Sequence, residues 1–140
     1  MLFRSQIISE NNSAAYLETT AETFKSKVKR EAIVDGEEIL AEFDYAKLCL
    51  ATSISMKNLK VTDVYTTDNE ESSSDGAMTL TCEVDGVKID VRTAVLYDED
   101  GKLITEEYFD GKTIDVKGII DCFNGTYQIK VFSINDIAIK

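Results

Sequence analysis

The chain contains no proline and no histidine, and only three cysteines in 140 residues. Without proline the strongest breaker of strands is missing, which suits a sheet-rich fold. Without histidine there is no imidazole general base, no His–Cys dyad and no serine triad. Cys49, Cys82 and Cys122 are widely spaced, odd in number and form no C-x-x-C pair, so the sequence offers no structural zinc site. Cys82 and Cys122 fall in phase with inward-facing strand residues and are expected as buried free thiols, with a reactive thiol as the alternative. Long apolar runs are also lacking, so no transmembrane helix and no membrane insertion is expected. Met1-Leu2-Phe3-Arg4-Ser5 lacks the sustained apolar stretch of a signal peptide. Residues 2–5 read like a translated adaptor end, so the natural start is expected upstream, and the sequence assigns no compartment.

Basic charge is scarce. Lysine and arginine total 15 against 26 aspartate and glutamate, a net charge of −11. Nucleic-acid binding relies on cations that neutralise phosphates and release counterions. A surface this acidic repels a polyanion over most of its extent, and binding to duplex DNA is not expected. The plainer meaning of the acidity is solubility. The length suits one ordinary domain able to bury a core without disulfides.

Two regions differ in period. Over residues 14–29, Ala14, Leu17, Ala21, Phe24 and Val28 recur at spacings of three and four, which predicts a four-turn helix capped by Ser13. Lys25, Lys27, Lys29 and Arg30 would then sit at its C-terminal end, where cations complement the helix dipole. A basic nucleic-acid patch is the alternative. Asp35-Gly36 marks a turn. Residues 37–51 read as a second helix, although Glu38–Phe43 would also suit a short strand. Residues 1–50 are thus expected as a helical appendage to a barrel over 51–140.

After Ser53 the period becomes two. Strands are expected at 54–65, 77–84, 87–95, 112–122 and 126–132, with Met78, Leu80, Ile89, Val91, Ile114, Val116, Ile120, Ile129 and Val131 facing inward. The phase breaks at Val64-Tyr65, as at a bulge. Asp85-Gly86 and Asn124-Gly125, each between alternating strands, predict two tight hairpins. Residues 66–76 hold Asp68, Glu70, Glu71 and Asp75 with no cation, and read as a solvated, flexible loop. Asp98-Glu99-Asp100-Gly101 lacks the spacing and bidentate glutamate of a calcium loop and reads as a turn. A short helix is expected within 103–110. Strand, long loop, hairpin, short helix, hairpin is the element order of a mainly β, five-stranded OB-type Greek-key barrel. Gly118 would mark a sharp bend or a close backbone approach.

Residues 111–120, Gly-Lys-Thr-Ile-Asp-Val-Lys-Gly-Ile-Ile, and 123–131, Phe-Asn-Gly-Thr-Tyr-Gln-Ile-Lys-Val, resemble the last two strands of bacterial OB-fold domains. Such domains accompany secreted nucleases and cell-surface lipoproteins and are described as nucleic-acid-binding-like modules. The resemblance implies a ligand face across strands two and three and the loops beside them. On this chain that face would carry Thr79, Thr81, Lys88 and Arg92, with Tyr65, Phe123 and Tyr127 near the loops. Aromatic rings with two cations could hold a short single strand by stacking. Tyr127 shares the phase of Ile129, which favours the core. Lys88 and Arg92 alternate with Glu83 and Asp90 and would also suit cross-strand ion pairs.

Three functional classes remain. The leading one is a non-catalytic recognition module for single-stranded oligonucleotide or another small polymer. Next comes an acidic protein-interaction domain of the nucleic-acid-mimic or inhibitor type. An enzyme stands last, because no carboxylate pair sits in a pattern that implies tuned acid–base work, and no cofactor motif is present.

Overall fold

A computed structural model describes residues 16–140 of the chain. Five strands make the barrel: β4 (Ser53–Thr66), β5 (Met78–Val84), β6 (Val87–Thr93), β7 (Thr113–Phe123) and β8 (Thr126–Val131). They pair in the order β4-β5-β6-β8-β7, and β7 returns to β4 and closes the sheet on itself. All contacts are antiparallel except β6–β8, which is parallel. In strand numbers this is 1-2-3-5-4-1, a closed mainly β barrel compatible with the OB-type arrangement. Each barrel strand thereby has two hydrogen-bonded neighbours. Two short strands extend the sheet, β1 (Leu17–Glu18) parallel to β4, and β9 (Ile137–Ile139) on β7.

Turn chemistry and alternation explain the hairpins. Asp85 and Gly86 have φ of 51° and 80°, and Asn124 and Gly125 have 51° and 79°. Left-handed backbone at both central residues gives the turn whose twist matches paired strands. The nine inward aliphatic residues read from the sequence are all buried, and Phe24 and Phe109 join them in one core. A bulge does interrupt β4, at Thr62, two residues before the expected Val64-Tyr65. Thr62 Oγ donates to the Thr81 carbonyl at 3.1 Å, so a side chain stands in for the lost ladder bond. The short helix between strands three and four is a 3-10 turn at Glu106–Tyr108.

Residues 16–50 do not form the helical appendage that the spacing suggested. Among the described residues before the barrel, two one-turn helices form, α1 (Ala21–Phe24) and α2 (Tyr45–Leu48). Between them, β2 (Lys27–Val34) and β3 (Glu37–Asp44) make an antiparallel hairpin. Its turn is Asp35-Gly36, with φ of 52° and 80°, the same geometry as the two barrel hairpins. Ala21 and Phe24 are buried on one helical turn, as the three-residue spacing implied. Leu17 instead pairs in register with Ile54 of β4, and Val28 lies in β2. The basic cluster from Lys25 to Arg30 therefore lies mostly on a strand. Ser13, read as a helix cap, falls outside the described residues.

Gly118 meets its expectation of close approach. A Cβ there would run into the Lys130 carbonyl oxygen and come within 2.9 Å of Ile129 Cγ2. Neither atom belongs to a flexible side-chain end, so β7 and β8 would have to separate. We expect Gly118→Ala to destabilise the protein by about 1–3 kcal/mol, the usual cost of overpacking. Urea denaturation checks this, and wild-type stability would show that the strands do not cross so closely.

The cysteines split. Cys82 is buried, as expected, and burial with the nearby Asp90 charge pushes its thiol up to about 12. Cys122 is exposed at the end of β7, against expectation, because the sheet ends there and only strand phase argued for burial. Maleimide at neutral pH should label Cys122 quickly and Cys82 only after unfolding, since thiolate is the reactive form. Peptide mapping of the labelled chain would show it.

Candidate functional site

Barrel closure sets outward-facing side chains in rows across the sheet. One row runs Tyr65, Thr79, Arg92, Lys130 and Ile119 over β4, β5, β6, β8 and β7. The next runs Asp63, Thr81, Asp90, Gln128 and Asp121 over the same strands. The parallel β6–β8 contact brings Arg92 and Lys130 side by side.

Above these rows lies a groove of about 690 Å³, within the range typical of small-ligand sites. Its floor holds Thr79, Arg92, Gln128 and Lys130. Three aromatic rings stand around it: Tyr65 at the end of β4, Phe123 at the end of β7 and Phe132 just after β8. They are 61%, 64% and 55% exposed.

The Arg92 guanidinium is oriented by neutral partners. Nη1 donates to Thr79 Oγ1 at 3.1 Å and Nη2 to Thr67 Oγ1 at 2.7 Å. Among the described residues no carboxylate oxygen lies within 4.0 Å of it, so its charge is held in place and left unpaired. Lys130 Nζ lies 5.8 Å from the centre of the Phe132 ring, a cation–π contact. Gln128 is nearly buried, and its Nε2 donates to Asp121 Oδ2 at 3.1 Å. The groove lining therefore carries two cations and one carboxylate, a local excess of positive charge on a chain of net −11.

The acidic loop contributes differently from what its composition suggested. It is a set of hydrogen-bonded turns, with the Asn69 amide donating to Asp75 Oδ1 at 2.9 Å and the Ser74 amide to Ser72 Oγ at 3.1 Å. Ser73 and Ser74 face the groove, whereas Asp68 and Asp75 line a neighbouring depression with Glu106 and Glu107.

Of the seven residues singled out from sequence, Tyr65, Thr79, Arg92 and Phe123 meet at this groove. Thr81 lies in the adjoining row and Lys88 near the β5–β6 turn, both outside the lining. Lys88 forms no ion pair with Glu83 or Asp90 within 4.0 Å. Tyr127 packs against the core, and burial, then Cys122 and Asp44, raise its hydroxyl pKa. Lys130, Phe132, Gln128 and Asp121 were not anticipated. Lys130 and Gln128 are out of phase with Ile129 and Val131, but only the parallel β6–β8 contact reveals that Lys130 adjoins Arg92.

Among the described residues, no group of three or more Cys, Asp or Glu gathers to hold a metal ion, and no helix is long and apolar enough to cross a membrane. No family model matches the chain and no curated protein matches it, so the barrel and its groove are the basis for reading function.

Proposed function

We propose that this protein is a non-catalytic binding module that holds a short stretch of single-stranded nucleic acid in the groove over β5, β6 and β8. The observation that carries the reading is three exposed aromatic rings around a fixed, unpaired guanidinium. Each ring offers a stacking platform, worth about 1–3 kcal/mol per base and indifferent to sequence. Arg92 and Lys130 supply the phosphate contacts. Thr67 and Thr79 keep the guanidinium from swinging away, so less side-chain entropy is lost on binding. The location supports the reading too, since OB-type barrels bind polymers across strands two and three.

Charge limits the ligand. Two cations cannot offset a net of −11 beyond a short distance, because exposed charges are screened past about 8 Å at physiological salt. The groove therefore suits a few nucleotides, and a duplex meets repulsion from the rest of the surface. Among the described residues that line the groove, the one carboxylate, Asp121, accepts from the Gln128 amide.

Fluorescence anisotropy with labelled six-nucleotide single strands tests the proposal. Micromolar binding is expected, with log K falling against log salt at a slope of about −1.4 for two phosphate contacts. Phe123→Ala should weaken it about five- to 140-fold, the loss of one stacked base. Binding unchanged by Phe123→Ala and Arg92→Ala, or submicromolar affinity for duplex DNA near physiological salt, would refute the reading. Salt-sensitive capture of a basic protein with no oligonucleotide binding would favour the acidic-mimic alternative.

A further inference from the structure

The β2–β3 hairpin lies outside the barrel sheet and forms a two-stranded sheet of its own. Two-stranded hairpins are marginal in water unless something adds a strand or covers a face. This one leaves Ile33 and Leu40 72% and 65% exposed, diagonal neighbours on one face. Both of its outer edges are unpaired among the described residues, and open edges are templates for strand addition.

The two edges differ in sign. β2 carries Lys27, Lys29 and Arg30 with one acid, Glu31, whereas β3 carries Glu37, Glu38, Glu42 and Asp44 with no cation. Within the hairpin only Lys27 and Asp44 join, at 3.5 Å. Among the described residues Lys29, Arg30, Glu38 and Glu42 have no oppositely charged group within 4.0 Å. The hairpin thus presents a basic edge and an acidic edge, each with charges uncommitted.

We propose that the occupant of each edge is a second copy of this chain, with β2 of one molecule pairing with β3 of the next. Symmetric pairing of β3 with β3 would oppose acids, and β2 with β2 would mostly oppose cations, so charge selects the unlike pair. The register already exists inside the hairpin, where Lys27 lies opposite Asp44 and Lys29 opposite Glu42. Repeated between molecules, it sets acidic strands on both sides of each basic one and brings the exposed Ile33 and Leu40 of neighbours into contact. Such an unlike-edge contact is heterologous and does not close at two copies, so association grows with concentration instead of stopping at a dimer. The repulsion between acidic barrels opposes it and is weakened by screening at physiological salt.

Sedimentation velocity of the full chain near 0.15 M salt tests this. The weight-average sedimentation coefficient of the wild type should rise continuously with protein concentration. Lys29→Glu with Arg30→Glu, and separately Glu38→Lys with Glu42→Lys, should each abolish the rise. An equimolar mixture of the two double variants should restore it, because the reversed edges again match. Should a variant lose the hairpin, hydrogen exchange on the wild type still decides, since β2 amides should gain protection at high concentration. A wild type that stays monomeric, a mixture that fails to associate when both variants fold, or β2 exchange independent of concentration would overturn the proposal.

Discussion

A single fourteen-residue strand, β4, has to serve two neighbours at once. Its first half pairs with β7 and its second with β5, and Lys60 stands at the handover, in register with both Thr113 and Glu83. A flat strand cannot do this. The register shifts between Met56 and Leu59, where Asn58 has φ of 63°, and again at Thr62. Such bulges bend a strand and increase its twist. The Asn58 amide is met by Asp115 Oδ1 at 2.9 Å, so the bend leaves no donor unmet there. Because β4 turns, the sheet closes, and because it closes, β8 falls between β6 and β7. The row of Arg92 and Lys130 exists only through that last placement.

The barrel was legible because three independent signals agreed over residues 53–131: alternation, two-residue turns and a glycine where strands approach closely. Residues 16–50 misled because two signals disagreed. Apolar residues at spacings of three and four argued for helices, whereas Asp35-Gly36 argued for the turn that organises both barrel hairpins. Turn chemistry prevailed, since left-handed backbone at both residues fixes the chain reversal and the pairing of 27–34 with 37–44 follows. Helical spacing at Ala21 and Phe24 was real but covers one turn. At the groove, Arg92, Thr79, Tyr65 and Phe123 had been placed on the face that the OB-type resemblance implies. Lys130 and Phe132 had not, because their meaning lies in a parallel contact between strands more than thirty residues apart in the chain.

Electrostatics is organised locally on this molecule. A net charge of −11 describes its far field, and that field disfavours long polyanions. The groove departs from it by holding two cations and turning the loop carboxylates outward, and the hairpin departs from it by separating its charges onto opposite edges. Both departures act over contact distances, within the screening length at physiological salt.

On the proposed function, a short single strand sits in the groove over β5, β6 and β8. Backbone NMR with a short single-stranded oligonucleotide tests it most directly. Shift changes on titration are expected to cluster on Tyr65, Thr79, Arg92, Phe123, Lys130 and Phe132, with β2 and β3 unaffected. Changes centred on the Lys27–Arg30 stretch, or none anywhere at saturating oligonucleotide, would contradict it.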